Sequence, residues 1–152
     1  MSGRMQADGV RHQHGIATVE LAIVAPILLL ILLGVAEMGR ALFQYNTLSK
    51  AVRDSARYYS SSVFNGNDVA GAINLVKYGQ IGIGTTLLPG PGVVNVNIPA
   101  PVIGATGTYV TVTGSYTFTF LPGNPLAGMV GWFGSALPNP FVLTATSTMR
   151  AI

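Results

Sequence analysis

The sequence predicts an α+β fold in which one long N-terminal helix packs on a small antiparallel β-sheet. Residues 16–36 form an apolar run in which Glu20 is the only charge, and apolar residues keep recurring at spacings of three and four well beyond that run. Farther along, apolar and polar residues alternate in three segments near residues 94–98, 110–120 and 141–149. That alternation is typical of half-buried strands.

The apolar run is long enough to cross a membrane. Its 21 residues would span roughly 31 Å as a helix, which matches the hydrocarbon thickness of a bilayer. The run is apolar on every side, as a lipid-exposed helix should be. We therefore predict a short polar leader at residues 1–15, a transmembrane span at residues 16–36 and a folded domain at residues 37–152.

The helix is predicted to continue to about Tyr59 and to become amphipathic after the span. The predicted apolar stripe covers the sheet, and it consists of Met38, Leu42, Tyr45, Leu48, Val52, Ala56 and Tyr59. Gln44 and the charged residues of this half lie largely off the stripe. Glu37 and Arg40 are three residues apart, which predicts a local ion pair.

A second helix is predicted at residues 68–78, before a connector rich in glycine and proline. In the middle strand, Gly114 interrupts the apolar row and indicates a bulge or a close backbone approach. The last two strands are joined by residues 122–140, which contain Met129, Trp132 and Phe133. The segment favours a short helix that caps the sheet; the alternative is that these three residues contact a partner subunit or the membrane surface.

Composition argues against catalysis and against several kinds of ligand. The chain has no cysteine, and no Asp, Glu, Lys, Arg or His lies between Lys77 and Arg150. Acid–base catalysis needs titratable groups, so we predict that the protein is not an enzyme and uses no metal, cofactor or small-molecule substrate. The basic residues form no stripe, which argues against nucleic-acid binding.

The order of motifs resembles the TadE-like family, the minor pseudopilins of tight-adherence (Flp-type) pilus assembly. The first matching segment precedes Pro26 and reads Gly15-Ile16-Ala17-Thr18-Val19-Glu20-Leu21-Ala22. It is followed by Gly34-Val35-Ala36-Glu37-Met38-Gly39-Arg40, by residues 51–57 and by the closing Thr146-Ser147-Thr148-Met149-Arg150. The resemblance covers nearly the whole chain and implies a pilin-like fold. Major pilins of this system carry Glu-Tyr where this chain has Glu20-Leu21, which favours the pseudopilin role.

The resemblance implies that a prepilin peptidase cuts the Gly15–Ile16 bond on the cytoplasmic side of the membrane. Glu20 would then lie in the second turn of a helix that begins at the cut, where a carboxylate is favoured by the helix dipole. It would be placed to pair with the Ile16 amine of a neighbouring subunit. The alternative from the residues alone is that Glu20 marks the membrane boundary and reaches water.

The function implied is that of a minor, non-enzymatic component in the assembly of an adhesive pilus. Its partners would be the prepilin peptidase, other pilins or pseudopilins, the assembly platform and the inner membrane, with residues 37–152 in the periplasm. Basic residues on the two sides of the span do not favour this orientation, which therefore follows from the resemblance. The alternatives are an unprocessed, membrane-anchored module that binds glycan or envelope polymer, and a secreted protein with a cleaved signal.

Overall fold

The computed structural model describes residues 13–88, 94–121 and 141–152. The described elements are α1 (Gln13–Ser62), α2 (Val69–Tyr78), β1 (Val94–Asn97), β2 (Val102–Gly104), β3 (Gly107–Phe118) and β4 (Phe141–Arg150). One long helix packs on one antiparallel sheet, so the predicted α+β class is confirmed. Both predicted helices and the three predicted strands are present, and α1 continues as a single helix through Pro26.

The central strand of the sheet is β3. Along one edge it pairs with β4 over ten residues, from Tyr109 opposite Arg150 to Phe118 opposite Phe141. Along the other edge it pairs with both β1 and β2. The sequence prediction missed β2, which joins β3 through a two-residue turn that closes at the Gly104–Gly107 pair. Gly107 has a φ of 144° there, a conformation that L side chains rarely adopt.

The second half of α1 forms one wall of the hydrophobic core. Buried residues of α1, α2, β3 and β4 pack together with Leu88 and Ala151 in two adjoining clusters: Leu48, Val52, Ala56, Tyr59, Ala72, Val76, Leu88, Val110, Val112, Tyr116, Phe118, Ala145 and Ala151. Along β3 and β4 the inward and outward residues alternate, as the sequence predicts. By contrast, none of the residues 15–36 is buried.

The predicted apolar stripe on α1 is right in its second half and wrong in its first. Leu48, Val52, Ala56 and Tyr59 are buried, but Met38, Leu42 and Tyr45 are exposed. The first buried positions of the helix are instead Glu37 and Gln44. At Glu37 the reason is that the end of β3 brings polar backbone groups to this part of α1, so hydrogen bonding rather than hydropathy selects the contact face there.

Gly114 lets α1 approach the sheet closely. A Cβ atom at this position would lie 2.7 Å from Val52 Cγ2, 3.2 Å from Leu48 Cδ1 and 3.3 Å from Val76 Cγ1. Pairing continues through Gly114 on both sides, with Val96 and with Ala145. Of the two predicted explanations, close backbone approach is therefore confirmed and the bulge is wrong.

Hydrogen bonds hold α2 and the chain end against α1. The Asp68 carboxylate accepts the Gly71 N–H at 2.8 Å and caps α2, and the Ser55 hydroxyl donates to the Ala72 carbonyl at 2.7 Å. At the chain end, the Ile152 N–H donates to the Ser60 carbonyl at 3.1 Å. The last strand is thereby tied to the last turns of α1.

Candidate functional site

The predicted processing residues lie in the first turns of α1. Gly15, Ile16 and Glu20 are all exposed. Ile16 and Glu20 are four residues apart in the helix, so their side chains share one face. The described part of α1 begins at Gln13, so the predicted Gly15–Ile16 cleavage bond lies in helical backbone.

Packing gives no reason for a glycine at position 15. A Cβ atom there would meet nothing within 4 Å, and the same holds for Gly39 in the same helix. A glycine inside a helix costs up to about 1 kcal/mol relative to alanine. Among the described residues, an internal contact therefore explains Gly114 but not Gly15.

A polar clamp joins α1 to the end of β3. The Arg40 guanidinium donates from Nη2 at 2.6 Å and from Nε at 3.0 Å to Glu37 Oε2. Its Nη2 also donates to the Thr119 carbonyl at 2.6 Å. The other Glu37 oxygen accepts the Leu121 N–H at 3.2 Å. The predicted ion pair is thus confirmed. Its two side chains also form hydrogen bonds to backbone groups about eighty positions away in the chain.

The surroundings of the clamp make its charges interdependent. Glu37 is 5% exposed and the Arg40 side chain 29%. The guanidinium also lies over the Phe118 ring, 4.3 Å from the ring centroid, a favourable arrangement for a cation. Removal of either charge would leave the other poorly compensated in a partly dry site. One turn away, the buried Gln44 Oε1 has no hydrogen-bond donor among the described residues.

Sequence reasoning missed the burial of Gln44 and the backbone contacts of the clamp. The signal that could have found them is spacing: Glu37, Gln44 and Leu48 lie on the same side of a helix as Val52. Hydropathy selected the neighbouring apolar set, which begins with Met38, because a polar residue is normally placed facing water.

A second polar cluster lies at the turn between α1 and α2. The Tyr58 hydroxyl donates to Asp68 Oδ2 at 2.6 Å, and the Tyr59 hydroxyl donates to Asn67 Oδ1 at 2.8 Å. The hydrogen bonds from Tyr58 and from the Gly71 N–H lower the pKa of Asp68, while the same contact raises the pKa of Tyr58. Asn67 has a φ of 51°, so these contacts fix a tight turn; they assemble no reactive group.

Within residues 13–88, 94–121 and 141–152, no group of three or more His, Cys, Asp or Glu side chains could hold a metal ion. The predicted partner-contact residues Met129, Trp132 and Phe133 lie outside the described residues. Their role stays a prediction.

Comparison with known families gives a match in the segment that contains both the predicted processing residues and the α1 residues of the clamp. Residues 15–57 match a family model. Its description is TadE-like protein. The predicted resemblance is therefore confirmed over this segment, and the matched residues end at Arg57, before the sheet. No curated protein and no solved structure gives a significant match.

The match covers 43 of the 152 residues of the chain. The structure adds that the matched segment is continuous: a single helix runs from exposed apolar turns into the core of the folded domain. Among the described residues, this is the one helix that is long and apolar enough to cross a membrane.

Proposed function

We propose that this protein is a minor pseudopilin-like component in the assembly of an adhesive tight-adherence pilus. The observation that carries the proposal is the TadE-like match over residues 15–57. That segment combines an exposed apolar helix with the turns that dock on the sheet. Residues 16–36 would anchor the protein in the bacterial inner membrane, and residues 37–152 would form its periplasmic domain.

Processing by a prepilin peptidase at Gly15–Ile16 is part of this proposal. Gly15 has open space around it, so its own fold does not demand a glycine. Cleavage requires the backbone at this bond to leave the helix by local opening. After cleavage the mature chain would begin with the Ile16 amine, one turn from Glu20.

Assembly would bring this chain against other pilins or pseudopilins and the membrane platform. A carboxylate inside an apolar run disfavours insertion by about 2.5–3.5 kcal/mol at mid-helix and by less near the end. Glu20 would offset that cost in the assembled state by pairing with the Ile16 amine of a neighbouring subunit. In this role the charge of Glu20 contributes to assembly and not to the folding of the domain.

The mass of the membrane-extracted protein tests processing directly. We expect a mass that corresponds to residues 16–152, and we expect Gly15→Ala to leave the chain uncut. Gly39→Ala is the matched control, because it changes a second glycine of α1 that has open space around it and should be cut normally. An intact chain that begins at Met1 in cells with an active peptidase would rule out processing.

Piliation tests the role of Glu20. Glu20→Ala and Glu20→Gln should both insert at least as well as the wild type and should both reduce piliation, because each removes the charge. If piliation is normal in both variants, the carboxylate only marks the membrane boundary.

The alternative of an unprocessed glycan-binding module predicts an uncut chain that retains an envelope polymer. Rows of threonine and asparagine on the outer face of a sheet would suit sugar contacts. In the structure the threonine hydroxyls pair with one another across β3 and β4, Thr111 with Thr148 at 3.0 Å and Thr113 with Thr146 at 3.1 Å. These rows have the arrangement of an ordinary solvent face, so they give the alternative no support.

A further inference from the structure

The surface of α1 remains apolar on one side for about two and a half turns beyond the predicted span. Met38, Leu42 and Phe43 are 67%, 54% and 68% exposed, and Tyr45 is 41% exposed. In the same turns, the polar side chains of Glu37 and Gln44 are buried against the sheet. This is the reverse of a water-facing amphipathic helix, which buries apolar residues and exposes polar ones.

We infer that this interfacial face, defined as Met38, Leu42, Phe43 and Tyr45, lies in the headgroup layer of the membrane. The end of β3 at the Glu37–Arg40 clamp then sits at the bilayer surface. The inference rests on the proposed function in one respect, since it takes α1 as the membrane anchor. It goes further by giving the folded domain its own lipid contact.

The breadth of the face favours lipid over a partner helix. At 3.6 residues per turn, its four side chains spread over roughly 160° of the helix circumference. A helix that packs on one partner helix needs only the narrower seam of a coiled coil. Lipid contacts every outward side chain at once, and residues 15–36, which lead into this face, are likewise not covered by protein.

The length of the apolar surface fits the whole bilayer. From Ile16 to Tyr45 there are 30 residues, or about 45 Å of helix, and a bilayer with its headgroup layers is about 40–45 Å thick. Residues 16–36 alone match only the hydrocarbon core. Between Glu20 and Lys50 the charged residues are Glu37 and Arg40, and these two are paired with each other in the clamp.

The residues at the end of the face have the chemistry of a membrane boundary. Phe43 and Tyr45 are aromatic, and tyrosine in particular concentrates where the apolar layer meets the headgroups. The exposed Lys50 and Arg53 follow within two further turns, at a position where their long side chains can reach phosphate groups. Exposed polar side chains begin at Asn46 and Lys50 on this side of the helix, although polar contacts begin at Glu37 on the opposite side.

Spin labels on the full chain in phosphatidylcholine vesicles test this inference. The natural chain has no cysteine, so each single-cysteine variant carries one label. Met38→Cys and Phe43→Cys probe the interfacial face, Leu28→Cys probes the span, and Lys50→Cys is the exposed control beyond the face. Collision rates with oxygen, which enriches in lipid, and with a water-soluble nickel chelate report the surroundings of each label.

We expect the labels at positions 38 and 43 to collide more with oxygen than with nickel, as at position 28, and the label at position 50 to show the reverse. If position 28 is lipid-exposed while 38 and 43 collide mainly with nickel, the interfacial contact is wrong and the anchor stands. If position 28 also faces water, the anchor itself fails. A third outcome is that the labels at 38 and 43 are shielded from both reagents and that, within each variant, labels on neighbouring chains broaden the spectrum. In that case a second copy of the chain covers the face and the inference is overturned.

Discussion

The two halves of α1 have the same backbone and opposite relations to the rest of the protein. None of the residues 15–36 is buried, whereas the half that begins at Glu37 contributes buried residues to both clusters of the hydrophobic core. Helical conformation is therefore not what distinguishes anchor from domain. The difference lies in what surrounds the helix: the sheet covers one side of the second half, and none of the described residues buries the first half.

The largest contrast should come from placing the same charge in each half. Val52→Asp puts a carboxylate at a position that is 1% exposed in the core, and a buried charge without a partner costs several kcal/mol. We expect loss of the cooperative melt of the domain in detergent. Leu28→Asp should leave that melt unchanged and instead reduce the fraction of chain inserted in membranes.

Equal effects of the two substitutions on the melt would contradict this division of α1. Met38→Asp is a further control, because Met38 belongs to the packed half yet is exposed. It should leave the melt of the domain nearly unchanged.

The next largest effect should come from the close approach of α1 to the sheet. Gly114→Val adds atoms where even a Cβ would lie 2.7 Å from Val52, and overpacking costs about 1–3 kcal/mol or more. Thermal unfolding should show a lower midpoint. Gly39→Ala, in an open part of the same helix, should keep or slightly raise the midpoint. A neutral Gly114→Val would mean that α1 can move away from the sheet without loss.

The clamp gives a smaller effect because part of it faces solvent. Arg40→Ala removes three hydrogen bonds and leaves Glu37 buried without its cation, and we expect a loss of about 1–3 kcal/mol in unfolding free energy. The pair of variants Arg40→Met and Glu37→Gln/Arg40→Met separates the charge from the packing. The double variant should be more stable than the single one, because it leaves no buried carboxylate without its cation. The reverse order would show that Arg40 is not needed to compensate the charge of Glu37.

The smallest expected effect is a pH dependence at the turn after α1. Hydrogen bonds hold the pKa of Asp68 below its usual 3.8. A carboxyl whose pKa is lower in the folded state stabilises the fold above its unfolded pKa, and this contribution is lost as the pH falls through the folded pKa. The melting temperature of the wild type should therefore exceed that of Asp68→Asn at neutral pH, and the difference should shrink below about pH 4. If the difference in melting temperature does not change with pH, the charge of Asp68 is not its cause and the geometry of the helix cap is.

Sequence patterns predicted the parts of this fold in which hydropathy and burial coincide. The alternation in β3 and β4 is an example, because the outward Thr111 and Thr113 and the inward Val110 and Val112 follow the pleat. The short strand β2 was missed because its three residues, all exposed, show no alternation. It pairs only because a glycine with positive φ turns the chain at residue 107.

The candidate site divides in the same way. Gly15 and Glu20 stand out in the sequence because one is small and the other charged in an apolar run, and the TadE-like match covers both. The link from Arg40 to Thr119 could not be found in this way, since its acceptor is a backbone carbonyl and every residue has one. Contacts of that kind depend on where a strand ends relative to a helix, which local periodicity does not specify.

The attachment of the sheet to α1 at two distant heights has a mechanical consequence. Arg40 holds the end of β3, and Ser60 accepts a hydrogen bond from the chain end after β4, about 30 Å farther along the helix axis. A pull directed along α1 would load both attachments and the intervening core together, in shear. The domain should therefore resist tension along the anchor better than a force that peels the sheet away sideways.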